Sequence, residues 1–129
     1  MKTYLYFFPF LLFFSSITIH AQKIGLDQEL NEIAMEKAAF YKVVLKNDPA
    51  VSYFYKSGNI FRKLTCIEGE IEGKFSEFYE TGELKTTGRY KNNLREGAWK
   101  TYTKKGTIKE KGKYTKGKKV GVWKTFYKN

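Results

Sequence analysis

Two stretches of the chain alternate polar and apolar positions. Ile108, Glu110, Gly112 and Tyr114 point one way while Lys109, Lys111 and Lys113 point the other; earlier, Leu84, Thr86, Gly88 and Tyr90 oppose Lys85, Thr87 and Arg89. A period of two is that of a strand in a sheet with one wet face. The same positions also recur at longer range. Gly73, Gly97 and Gly121 lie 24 residues apart, and the interval recurs in Phe75/Trp99/Trp123 and Phe78/Tyr102/Phe126. It recurs again in Gly82/Gly106, Leu84/Ile108, Gly88/Gly112 and Tyr90/Tyr114. One further interval toward the N-terminus falls on Pro49, Val51, Phe54, Gly58, Ile60 and Cys66, a decayed copy. A period of this size marks an array in which one supersecondary unit is stacked until the units share a core. The units are 49–72, 73–96, 97–120 and a partial copy at 121–129.

Each unit reads as two runs rich in aromatic and β-branched residues separated by turn residues, which is a hairpin signal. Gly82 and Gly106 supply positive φ inside the hairpins, and Asn93 and Gly117 do so between them. The predicted fold is mainly β: an antiparallel β-meander of about seven strands built from 24-residue hairpin repeats. Trp99 and Tyr102 are three apart and would face opposite sides of a regular strand. Either a bulge rotates one of them or both faces carry aromatics.

Residues 22–48 lie outside the period and are expected to cap the array with a short helix and a strand. Leu30, Ile33, Ala34 and Ala38 share one face of a helix over Asp27 to Phe40, which Asp27 could cap. Phe40 to Leu45 is strand-like, and Asn47-Asp48-Pro49 turns the chain into the first unit. Residues 1–21 have the layout of a secretory signal peptide: Lys2, an apolar run from Tyr4 to Phe14, then small and polar residues up to Ala21. The apolar run is shorter than the ~20 residues of a membrane-spanning helix. The expected location is therefore periplasmic, outer-surface or secreted.

The inventory of reactive side chains is thin. His20 is the only histidine and would leave with the signal peptide; Cys66 is the only cysteine and has no partner for an internal disulfide. Histidine-based triads and metal sites are thereby removed. Glu77, Glu80 and Glu83 surround the Gly82 turn without the ligand alternation of a calcium loop and read as a solvated turn. The expectation is a non-enzyme with no cofactor, no metal and no small-molecule substrate.

The net charge of +11 is uneven. Residues 22–72 carry −1, residues 73–96 carry +1, and residues 97–129, with eleven lysines, no arginine and Glu110 alone, carry +10. A one-signed end attracts anions diffusely, whereas arginine would be the choice for bidentate recognition. The same lysines also protect an open edge strand against aggregation. Two functional readings follow. One is a protein-binding or scaffold module using Trp99, Trp123, Tyr114 and Tyr127 or the open edge, although these aromatics also suit a core. The other is a peripheral binder of anionic lipid or glycan through Lys100, Lys109, Lys111, Lys113 and Lys124. Nucleic acid ranks low outside the cell.

Gly-Lys-Phe-Ser-Glu-Phe-Tyr-Glu-Thr-Gly-Glu-Leu at 73–84, Gly-Ala-Trp-Lys-Thr-Tyr at 97–102, Gly-Lys-Tyr at 112–114 and Gly-Val-Trp-Lys-Thr-Phe-Tyr at 121–127 resemble the MORN family. The likeness is to its shorter variant in bacterial proteins grouped with a polymorphic-toxin antitoxin. With the signal peptide and Lys-Ala-Ala-Phe-Tyr-Lys at 37–42, the chain is similar to exported, Bacteroidota-type members of that group. The resemblance implies a scaffold or protein-binding role, antitoxin- or immunity-like, and no shared reaction.

Overall fold

A computed structural model describes residues 20–127, so most of the predicted signal peptide lies outside the described residues. The strands are β1 (Ala21–Leu26), β2 (Glu32–Ile33), β3 (Phe40–Leu45), β4 (Ala50–Tyr55), β5 (Ile60–Ile67), β6 (Glu70–Ile71), β7 (Gly73–Phe78), β8 (Leu84–Lys91), β9 (Leu94–Tyr102), β10 (Ile108–Thr115) and β11 (Lys118–Thr125). They form one antiparallel sheet in the order β11-β10-β9-β8-β7-β5-β4-β3-β1-β2, with β6 paired to β5 alone. Spatial neighbours from β3 to β11 are thus sequence neighbours, apart from the short β6, which is the meander expected. β4, β5 and β7 to β11 span the periodic region.

The turns repeat with the sequence. Gly58, Gly82 and Gly106 have φ of 96°, 102° and 78°, and each donates its N–H at 2.9 Å to the carbonyl three residues earlier, on Tyr55, Tyr79 and Thr103. The connections between hairpins place two successive residues at positive φ: Glu68 and Gly69, Asn92 and Asn93, Lys116 and Gly117. Two such residues make the turn whose twist matches that of the flanking strands.

The helix expected over Asp27 to Phe40 is absent. The chain instead makes a tight turn after β1, adds the two-residue β2, and has a 3-10 turn at Met35–Lys37. Asp27 does not cap a helix; its carboxylate accepts the backbone N–H groups of Glu29 and Asn31, both at 2.9 Å. These bonds, the Asn31 one foremost, hold its carboxyl below the usual range. Leu30 sits at φ 67°, outside helical geometry. A methyl on Gly25 would meet the Ile33 carbonyl at 2.7 Å, so only glycine lets the segment fold back onto β1.

The buried core is a row crossing the strands: Val51, Leu64, Phe75 and Trp99, flanked by the half-buried Tyr90, Tyr114 and Trp123. Phe75, Tyr90, Trp99, Tyr114 and Trp123 form a continuous row of ring contacts, mostly edge-to-face, with centroid separations of 5.0 to 5.8 Å. Cys66 is half-buried beside this row. The glycines of the second strands make room for it. A β-carbon on Gly88 would come within 2.7 Å of Trp99 Cγ and closer still to the ring-fusion carbons; Gly112 stands in the same relation to Trp123. Each indole N–H then donates to the backbone carbonyl after its glycine, at 3.2 Å, Trp99 to Arg89 and Trp123 to Lys113. One unit earlier the column of Gly88 holds Leu64 and the column of Trp99 holds Phe75, both buried. A smaller ring is matched by a larger neighbour, so the volume is conserved.

Candidate functional site

The sheet separates the candidate residues onto two faces. Trp99, Tyr114 and Trp123 belong to the face of the edge-to-face aromatic row, where Trp99 is only 2% exposed. Its ring is core and offers no surface to a partner. This face is also where charges are paired. Arg95 lies 4.4 Å from the Trp99 ring centroid and reaches Tyr114 Oη at 3.0 Å, while Lys119 lies 4.0 Å over Trp123 and pairs with Glu110 at 3.0 Å. Glu77, read from sequence as part of a solvated turn, is instead buried between Arg62 at 2.6 Å and Lys85 at 2.9 Å. Burial works to raise its carboxyl, but hydrogen bonds from Lys85 and Arg62 outweigh it and hold the group below the usual glutamate range. Glu80 and Glu83 are exposed, as a turn requires.

The opposite face carries the other aromatic column. Tyr102 lies beside Ala98 and Lys100, alternating with Trp99, and Phe78 lies beside Lys74 and Ser76. Phe126 has Lys111 Nζ at 5.6 Å from its ring. Both faces therefore carry aromatics, which resolves the three-residue spacing of Trp99 and Tyr102. Bulges are present as well: the β8–β9 ladder slips between Thr87 and Arg89, and the β9–β10 ladder between Ile108 and Glu110.

Lys100, Lys111, Lys113 and Lys124 gather around a shallow trough of about 430 Å³ floored by Ala98, Gly112, Val120 and Val122. Lys111 pairs with Lys100 on one side and Lys124 on the other, so three lysines stand across three strands. Lys109 does not join them. It falls in the slip between Ile108 and Glu110, where its carbonyl accepts the Phe126 N–H at 2.8 Å, so the unbroken alternation expected of β10 fails at this end. Tyr127 lies beyond β11 and is 86% exposed. Among the described residues the ion pairs are Lys42–Glu32, Arg62–Glu77, Lys85–Glu77 and Lys119–Glu110, and none draws on the lysines of this trough. Among the described residues β11 is an edge strand of the sheet, with Val122 79% exposed and Phe126 47%.

Reasoning from sequence missed two further troughs on the same face, one lined by Lys63, Lys74 and Phe78 and one by Lys74, Arg89, Lys100 and Tyr102. The 24-residue columns that contain them were the available signal. Among the described residues no three His, Cys, Asp or Glu side chains gather as a metal site, and no helix is long and apolar enough to cross a membrane.

A comparison with curated proteins finds no match. A comparison with protein families gives the MORN repeat variant, matched at residues 71–92 and 95–116. The matched segments contain β7–β8 and β9–β10, the two hairpins at the centre of the periodic region. Repeats of this kind generally mediate binding and are typically non-catalytic, and residues 71–116 carry two of them.

Proposed function

We propose that this chain is an exported binding protein whose lysine-bearing face engages an anionic component of the cell envelope. The observation that carries this reading is the trough of Lys100, Lys111, Lys113 and Lys124, which no ion pair among the described residues neutralises. Lysines that served only to protect an edge would be confined to β11. Lys100 and Lys111 lie on inner strands, where that role does not apply. Attraction of this kind is diffuse and screened by salt. Binding to phosphatidylglycerol vesicles and to a polyuronate gel should therefore be present at ~20 mM salt and largely gone near ~0.5 M. Replacing Lys100, Lys111 and Lys113 with Gln should weaken it while the sheet stays folded. No preference for anionic over neutral surfaces at low salt would end this reading.

A second reading, a protein-binding scaffold of the antitoxin- or immunity-like kind, is favoured by the open β11 edge and its exposed Val122 and Phe126. A strand from a partner could extend the sheet there through main-chain hydrogen bonds. The aromatic row contributes less to this reading than the sequence implied, because Trp99 is buried. Substituting Pro for Val122 would block such pairing and leave the lysine face in place.

A further inference from the structure

The three troughs of the lysine-bearing face are one site repeated. Lys63, Thr87 and Lys111 stand 24 residues apart, as do Thr65, Arg89 and Lys113, then Ser76, Lys100 and Lys124, then Phe78, Tyr102 and Phe126. The first trough takes the first member of each column, the second takes the second, and the third takes Lys111, Lys113 and Lys124, with Phe126 beside Lys111. No carboxylate lines any of the three. Each hairpin thus presents at least one cation next to an aromatic ring, and successive hairpins are two strands apart, roughly 9.5 Å.

We infer that this face binds a linear acidic polysaccharide laid across the strands, with two sugars per hairpin. This rests on the anionic-ligand reading above and narrows it to one ligand class. Two features select a glycan. Phe78 and Tyr102 are half-buried in the face, so they offer flush platforms for the apolar side of a sugar ring and do not project as anchors into a bilayer. The aromatic platforms recur only at every second strand, whereas a single-stranded nucleic acid is held by aromatic side chains on which successive bases stack. The cations are lysines apart from Arg89, point charges suited to carboxylates or sulfates met at varied angles. The density of cations rises toward β11, from Lys63 alone in the first unit to Lys100, Lys111 and Lys113 in the third. The chain of sugars should therefore bind with its most highly charged stretch at that end.

The test uses the purified protein and hyaluronate oligosaccharides of increasing length, with an oligothymidylate and phosphatidylglycerol vesicles as rival probes at equal anion concentration. Affinity should rise with length and level off at about six sugars, the span of three hairpins. Tyr102→Ala should lower glycan affinity about tenfold, a loss expected of a central contact, and leave vesicle binding unchanged. Tyr102→Phe, which keeps the ring, should bind as the parent does. The Tyr102 carbonyl that accepts the Tyr79 hydroxyl belongs to the backbone, so these substitutions spare that link. Lys37→Gln, outside the troughs, controls for the loss of one charge. A flat length dependence overturns the inference, as does a Tyr102→Ala variant that binds glycan like the parent, or tighter binding of either rival probe. In each of those cases the lysine face can still be an anion-binding surface; if none of the three probes binds at low salt, the anionic-ligand reading itself fails.

Discussion

Trp99 and Trp123 occupy equivalent places in successive units and differ in one respect. Each lies on a glycine of the preceding strand and donates its indole N–H at 3.2 Å to the carbonyl that follows. Trp99 is flanked by Tyr90 and Tyr114 and is 2% exposed, whereas among the described residues Trp123 has Tyr114 on one side and open edge on the other. The local geometry of a repeat is therefore set within one strand pair. Burial, which supplies most of the stabilisation, is set by the next neighbour along the array.

The largest test of this contrast removes the rings. Trp99→Ala should cost about 3–5 kcal/mol in chemical denaturation, the range for a buried aromatic. Trp123→Ala should cost less than half as much, because part of its surface is already in water. Equal losses would show that edge and interior are energetically alike, and the comparison would fail. The converse test fills the space beneath the rings. Gly88→Ala should cost about 1–3 kcal/mol, since Trp99 is enclosed and cannot move away. Gly112→Ala should be milder because Trp123 can swing toward solvent, and a crystal structure of that variant should show the ring displaced.

Charge pairs extend the comparison with a smaller effect. Glu77 is buried and its folded carboxyl lies below the unfolded glutamate value of 4.5. Folding therefore favours the ionised form. That stability is present above pH 4.5 and is lost as pH falls through the lower folded value. Thermal melts across this window should show an acid limb that flattens in Glu77→Gln. Glu110, paired with Lys119 at the edge where both are partly exposed, should leave the limb unchanged when replaced by Gln. The smallest difference concerns two tyrosines. Tyr55 and Tyr79 each donate a hydroxyl at 2.8 Å to a carbonyl 23 residues on, those of Phe78 and Tyr102, and Thr103 holds the next place in that column. Tyr79→Phe should cost about 1 kcal/mol, the typical net worth of such a bond. Thr103→Tyr should recover a similar amount if Phe126 O is within reach.

The sequence was most informative where periodicity and turn chemistry agreed. Gly82, Gly106, Asn93 and Gly117 each sit at the positive φ their residue types implied, and the hairpins follow from them. It was least informative at Asp27–Phe40. There, Leu30, Ile33, Ala34 and Ala38 satisfied a helical spacing in too short a window to exclude a folded-back turn. Gly25 and the pair Asp27/Asn31 were the turn signals that the spacing overshadowed. In the candidate site, Lys100, Lys111, Lys113 and Lys124 were legible as charges, and their gathering depended on cross-strand register that a single strand does not encode. Lys109 was lost to a bulge for the same reason. Glu77 looked like its exposed neighbours Glu80 and Glu83 because its partners, Arg62 and Lys85, stand on two other strands.

The glycine–tryptophan contact joins residues from different units, and this constrains how such a gene can grow. Duplication of the block 73–96 would set a second Phe75 against Gly88, leaving a void where Leu64 now fills the space. Duplication of the block 84–107, which is cut next to the hairpin turns at Gly82 and Gly106, would carry Gly88 and Trp99 together and reproduce a filled contact at every junction. The heritable module is thus offset by about half a period from the unit that the eye picks out first. Recombination breakpoints in lengthened or shortened relatives should fall at the Gly82 and Gly106 turns, and engineered insertions should be cut there as well.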